Sequence, residues 1–204
     1  MEDRSRALRS ASRLCAATVT WNAAAGTAAV VVGLTTRTLA LLGLGLDSAV
    51  DGLASAVLVW RLRAELQGHP DPAGPEQRAA RVVGTALVAI GVYLAIRSIA
   101  SLVSGTRADV TGIGIAIAAG SVVVLPPLAV GKGRRARELA SGALRGDAFL
   151  TAAGAVLAAT ALAGLLADEA FGWPWADPIA ASVIALALLA EGTRTLRPGV
   201  APPI

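Results

Sequence analysis

Apolar stretches of about 20 residues recur along this chain, each long enough to cross a ~30 Å hydrocarbon layer as a helix rising 1.5 Å per residue. A chain dominated by such stretches must satisfy its backbone polar groups internally, and these runs are long enough to do so as helices. They predict an all-α integral membrane protein, a six-transmembrane-helix bundle with spans at about 14–34, 39–60, 80–103, 109–130, 147–167 and 176–193. Composition agrees: 55% of the 204 residues are hydrophobic and only 3% aromatic, so the bulk is Ala, Leu, Val and Ile. The mean hydropathy of +0.65 is rarely met in a water-soluble domain.

Charge sets the orientation. Arg4, Arg6, Arg9 and Arg13 precede the first span, and Arg61, Arg63, Arg78 and Arg81 lie between the second and third. Lys132, Arg134, Arg135, Arg137 and Arg145 lie between the fourth and fifth, and Arg194 and Arg197 follow the sixth. The opposite side holds only Arg37 and Arg107, with acidic Asp168 and Glu169. The positive-inside rule then puts both termini in the cytoplasm. The same distribution argues against nucleic acid as the reason for the pI near 10.5, because the basic residues sit in short loops. Lys132 is the only lysine, and the Ala- and Arg-rich usage suggests a bacterial inner (plasma) membrane. Cys15 is alone, which excludes an intrachain disulfide. The first apolar stretch lacks a cleavage signal and reads as a retained span.

Local signals punctuate the spans. Gly68-His69-Pro70-Asp71-Pro72 reads as a cytoplasmic loop. Leu125-Pro126-Pro127 is expected to kink or end the fourth span. Trp173-Pro174-Trp175 suits an outer aromatic belt, and Asp177-Pro178 looks like an N-cap followed by proline at the first helical position. The chain reads as one transmembrane domain over 1–204, with no soluble domain before or after it.

Against this apolar background, Asp47 and Asp51 stand out. They lie four apart near the middle of the second span, on one helical face. A carboxylate there costs roughly 2.5–3.5 kcal/mol, and two of them repel. Such a pair is retained when a cation, a proton or a basic partner offsets the cost. Carboxylate oxygens bind divalent metals, and protons should compete for the same atoms. The alternative is a structural pair that holds polar groups in the bundle, Arg97 among them. Asn22 in the first span, with Ser48 and Ser55, can bond between helices or line a path. Asp147 and Thr151 open the fifth span four apart; Asp147 is either an N-terminal helix charge or a supplementary ligand. Arg97 can snorkel or pair with Asp109. His69 reads as a solvated loop residue and Cys15 as a packing residue.

Three segments carry a family resemblance. Asp47-Ser48-Ala49-Val50-Asp51-Gly52-Leu53-Ala54-Ser55 is similar to the second-span motif of the cation diffusion facilitators. Gly131-Lys132 with Ser141-Gly142-Ala143-Leu144-Arg145-Gly146-Asp147-Ala148 resembles that family's entry into its fifth helix. Trp175-Ala176-Asp177-Pro178-Ile179-Ala180-Ala181 resembles the start of its sixth. The resemblance implies six spans, cytoplasmic termini, a homodimer, and export of a divalent metal against protons. It most closely fits the short branch that lacks a cytoplasmic domain. The family's fifth helix supplies His and Asp four apart, whereas the matching residues here are Leu150 and Gly154, which cannot bind metal.

The combined expectation is a secondary transporter, not an enzyme, that moves a divalent cation out of the cytoplasm. Zinc is the first choice, with Mn, Mg, Fe or Co as alternatives, and proton antiport is the expected coupling. Asp47 and Asp51 are the metal residues, and Asp147, Thr151 and Asn22 are supplementary candidates. No resident cofactor is expected; the partners are the lipid bilayer, the metal ion and a second copy of the chain. The rivals are a transport-inactive family member that acts as partner or regulator of another transporter, and a carrier of organic cations or protons.

Overall fold

The computed structural model describes residues 2–67, 75–105 and 109–196. Helix α1 (Glu2–Trp21) runs through a five-residue π-helical segment (Asn22–Gly26) into α2 (Thr27–Thr35). Then follow α3 (Leu39–Leu66), α4 (Pro75–Ser104), α5 (Gly112–Glu138), α6 (Gly142–Phe171) and α7 (Ala176–Leu196). Among the described residues there are no strands, and six helical segments are long and apolar enough to cross a membrane. His69 and Asp71 lie outside the described residues.

The helices outrun the expected spans. α1 begins at Glu2 rather than near 14, α3 continues to Leu66 and α5 to Glu138. A helix of 27–30 residues is about 40–45 Å long, so its charged end projects beyond the hydrocarbon layer. Hydropathy marks where the lipid stops, which is not where the helix stops. Of the two outcomes expected at Pro126-Pro127, a kink or an end, the end is corrected. Both prolines lie inside α5. They remove two donors from the ladder, a loss that membrane helices tolerate when neighbouring groups compensate.

Helix α3 touches every other helical element, so it forms the hub of the bundle. Around it α4 packs mainly on α7, and α5 on α6. The first span crosses α3 backbone to backbone. A Cβ built on Gly45 would lie 2.8 Å from the Gly26 carbonyl oxygen and 2.7 Å from the Val30 nitrogen, so only glycine fits there.

At the end assigned by charge to the outside, side chains tie the spans together. Asp177 does not cap its own helix. Its carboxylate accepts from the backbone nitrogens of Leu39 (2.8 Å) and Ala40 (3.0 Å), which caps α3 from a neighbouring span. The sequence signal for a cap was real, but it serves another helix. Thr111 caps its own helix α5 at this end, and Ser141 caps α6 at the inner end. Helix α6 ends on Gly172 in the left-handed region. Phe171, Trp173 and Trp175 then form a partly exposed stack with centroids 4.8 Å apart. At the other end Arg4 pairs with Glu65 across the surface.

The buried apolar residues form two clusters. One, toward the outer end, gathers Leu41, Leu44, Leu87, Leu94, Ala118, Leu165 and Ile184. The other, toward the inner end, gathers Leu8, Ala11, Leu58, Leu62, Ala136 and Leu144. Between them lies a layer of buried polar side chains.

Candidate cation site

The layer is assembled by helical periodicity on three helices. On α3, Asp47, Asp51 and Ser55 recur every four residues on one face and are all buried. On α6, Asp147, Thr151 and Gly154 form the facing stripe and are all buried. On α5 the buried stripe runs Ala118, Ser121, Leu125, Ala129, Lys132 and Ala136. Because α3 and α6 run in opposite directions, Ser55 meets Asp147 at the inner end. Asp51 meets Thr151 in the middle, and Asp47 meets Gly154 at the outer end.

The inner end is saturated. Lys132 is completely buried, and its ammonium lies 2.7 Å from Asp147 Oδ2. It also donates to Ser55 Oγ and Thr151 Oγ1, both at 2.9 Å. Three ammonium hydrogens thus meet three acceptors, which is what a buried cation requires. Ser55 in turn donates to Asp147 Oδ1 at 2.6 Å, and the Cys15 thiol lies 3.5 Å from Oδ2.

The middle is partly satisfied. Asn22 Nδ2 donates to Asp51 Oδ2 at 2.8 Å. The Thr151 hydroxyl has one hydrogen and three acceptors in reach, Asp51 Oδ1 at 3.2 Å, Asp51 Oδ2 at 3.4 Å and the Asp147 carbonyl at 3.0 Å. Asn22 opens the π-helical segment, where the extra residue per turn re-aims side chains, and such segments are frequent at functional sites.

The outer end is bare. Asp47 is 9% exposed, and no donor among the described residues hydrogen-bonds to its carboxylate. Opposite it, a Cβ built on Gly154 would lie 3.4 Å from Asp47 Oδ2, an ordinary contact distance. Among the described residues no three His, Cys, Asp or Glu side chains gather closely enough to hold a metal by themselves.

The profile of the cation efflux transmembrane domain matches residues 16–201. The chain belongs to the cation efflux family. No curated protein matches it. Membership makes the chain a multi-pass membrane protein with the transmembrane architecture of cation efflux carriers.

The sequence-derived residues can now be placed in this cation efflux domain. Asp47 and Asp51 share the buried face, and Asn22 and Thr151 both contact Asp51. Asp147 belongs to the same layer, but its carboxylate is taken by Lys132 and Ser55. Of the two readings of Asp147, the N-terminal helix charge is corrected: it lies five residues past the start of α6, buried and ion-paired to Lys132. Gly154 faces Asp47 but brings no ligand atom. Arg97 is exposed on α4 and makes no ion pair with Asp109.

Lys132 is the residue that sequence reasoning misplaced. The sequence pattern puts it in a cytoplasmic loop, yet it is a buried member of the polar layer. Two signals pointed to it. It is the one lysine in a chain that otherwise uses arginine for every positive charge, and it continues the three–four spacing of the inward stripe on α5.

Proposed function

We propose that this protein exports a divalent metal cation from the cytoplasm, zinc foremost, with protons returning through the same carboxylates. The carrying observation is the unmatched acid at the outer end of the layer. Asp47 is buried in the bundle's interior without a hydrogen-bond donor among the described residues, one helical turn from Asp51. A carboxylate in such surroundings needs an external positive charge, either a metal ion or a proton.

In this reading Asp47 and Asp51 hold the ion, with Asn22 orienting Asp51. Water supplies the remaining coordination, as it commonly does for hard divalent ions. Asp51 lies nearer the cytoplasmic side and Asp47 nearer the outer side, so the pair spans the point where access changes. Rocking of helix groups about the layer exposes it alternately to each face. A site with two carboxylates and no histidine binds zinc more weakly and less selectively than one with soft or nitrogen ligands. A bacterial inner membrane and a homodimer complete the proposal, in keeping with the arginine distribution and the family resemblance.

Proteoliposomes loaded with a zinc-sensitive dye test the assignment. Wild type should carry zinc inward from the face that corresponds to the cytoplasm, and Asp47→Ala and Asp51→Ala should not. Equal flux in all three would remove the site.

One observation favours a second reading. Leu150 and Gly154 stand where the family's fifth-span ligands would be, as expected of a member that has given up transport to act on a partner transporter. Calorimetry that detects no metal binding, together with a stable complex in pull-downs, would favour it.

A further inference from the structure

Lys132 is the largest fully buried side chain in the described structure, and the proposed transport cycle gives it no task. A lysine near the cytoplasmic end of α5 could snorkel toward water, as its long stem permits. It instead turns into the bundle and meets three acceptors on two other helices.

The charges of the layer can be added. With their carboxylates ionised, Asp47, Asp51 and Asp147 carry three negative charges, and Lys132 carries one positive charge; half-buried Glu191 on α7 also acts on Asp47, with Arg194 one turn further on to offset its charge. The balance is two negative charges, which one divalent ion neutralises. Without the ammonium, a single divalent ion would leave one negative charge buried. Asp147 and Asp51 would then be free to attract a second ion or grip the first more tightly. The ammonium is also linked to Asp51, because Thr151 accepts from Lys132 and reaches Asp51 Oδ1.

We infer that Lys132 is a specificity-determining residue of the cation site. Its ammonium, fixed by Asp147, Ser55 and Thr151, acts as a tethered cation that fills the inner half of the layer. It confines the transported ion to Asp47 and Asp51 and sets the capacity of the layer to one divalent charge. This rests on the reading of Asp47 and Asp51 as the ion-binding pair. Lys132 does not touch the ion; it acts through charge and by holding Asp147 and Thr151. The cost is a weaker grip on the cargo, which favours its release on the far side.

Calorimetric titration of the purified full chain with zinc chloride, paired with liposome flux, tests the inference. Wild type should bind one ion per chain. Lys132→Met should bind at least about ten-fold more tightly, or take a second ion, because a nearby like charge has been removed. Its flux should show lower KM together with lower kcat, since a tighter hold slows release. A purely structural role would lower kcat without lowering KM. Lys132→Gln, which keeps a donor for Ser55 or Thr151, should behave as Lys132→Met does if the methionine variant is unstable. The paired variant Lys132→Met/Asp147→Leu restores the balance of two negative charges and should return toward wild-type affinity with one ion per chain. Unchanged or weaker affinity in folded Lys132→Met and Lys132→Gln would overturn the inference, as would loss of the fold in all three variants. If Asp47→Ala and Asp51→Ala bind as wild type does, or wild type binds nothing, the underlying pair assignment fails instead.

Discussion

Asp147 and Asp47 are carboxylates buried in one polar layer, yet their surroundings differ in kind. Asp147 receives a lysine, a serine hydroxyl and a thiol, so the protein itself supplies what a buried charge needs. Asp47 receives no donor from the described residues and faces a glycine. A charge that the fold has already neutralised contributes to architecture, because breaking such a pair costs several kcal/mol while making it adds little. A charge that the fold leaves unmatched stays available to something that comes and goes. Asp51 stands between the two, held by Asn22 and Thr151 but by no cation directly. The layer thus passes from a structural end to an exchangeable end over two helical turns of α3.

Four substitutions probe that contrast. The largest effect is expected at the exchangeable end, where Asp47→Asn should reduce zinc flux to the protein-free background while leaving the melting temperature near wild type. Flux that survives would mean that Asp47 is not the exchangeable acid. Next, Asp147→Leu should destabilise the protein by about 3–5 kcal/mol, because it strands a buried ammonium. Thermal unfolding in detergent measures this, and restoration by a second change, Lys132→Met, would assign the loss to the pair. Third, Gly154→Asp would set a third carboxylate beside Asp47, in space that a Cβ can enter. Zinc affinity should rise roughly ten-fold as a third charged ligand joins the ion; an unchanged affinity would show that the outer end does not bind metal. The smallest effect is expected for Asn22→Ala, which removes one hydrogen bond to Asp51 and should cost about 1 kcal/mol of stability.

The sequence made the six spans legible because lipid imposes a simple demand, about 20 apolar residues per crossing. It made Asp47 and Asp51 legible for the same reason, since charges within such a run are costly and conspicuous. The rest was hidden by the limits of that one signal. Lys132 lies past the last hydrophobic residues of its span, among Arg134, Arg135 and Arg137, where a positive charge reads as a loop marker. Only the continuation of α5 to Glu138, through two prolines, carries it into the bundle. Asp177 was recognisable as a cap, but a cap motif does not say whose amides it serves, and α3 is 137 or more residues away in sequence. The π-helical segment at Asn22–Gly26 has no composition of its own. It arises where the first span crosses α3 closely, which is a property of packing.

The most direct test of the account is anomalous scattering from crystals soaked in zinc or manganese. One peak is expected between the carboxylates of Asp47 and Asp51, with the Lys132–Asp147 pair intact beside it. A peak at Asp147 with Lys132 displaced, or no peak anywhere in the layer, would contradict it.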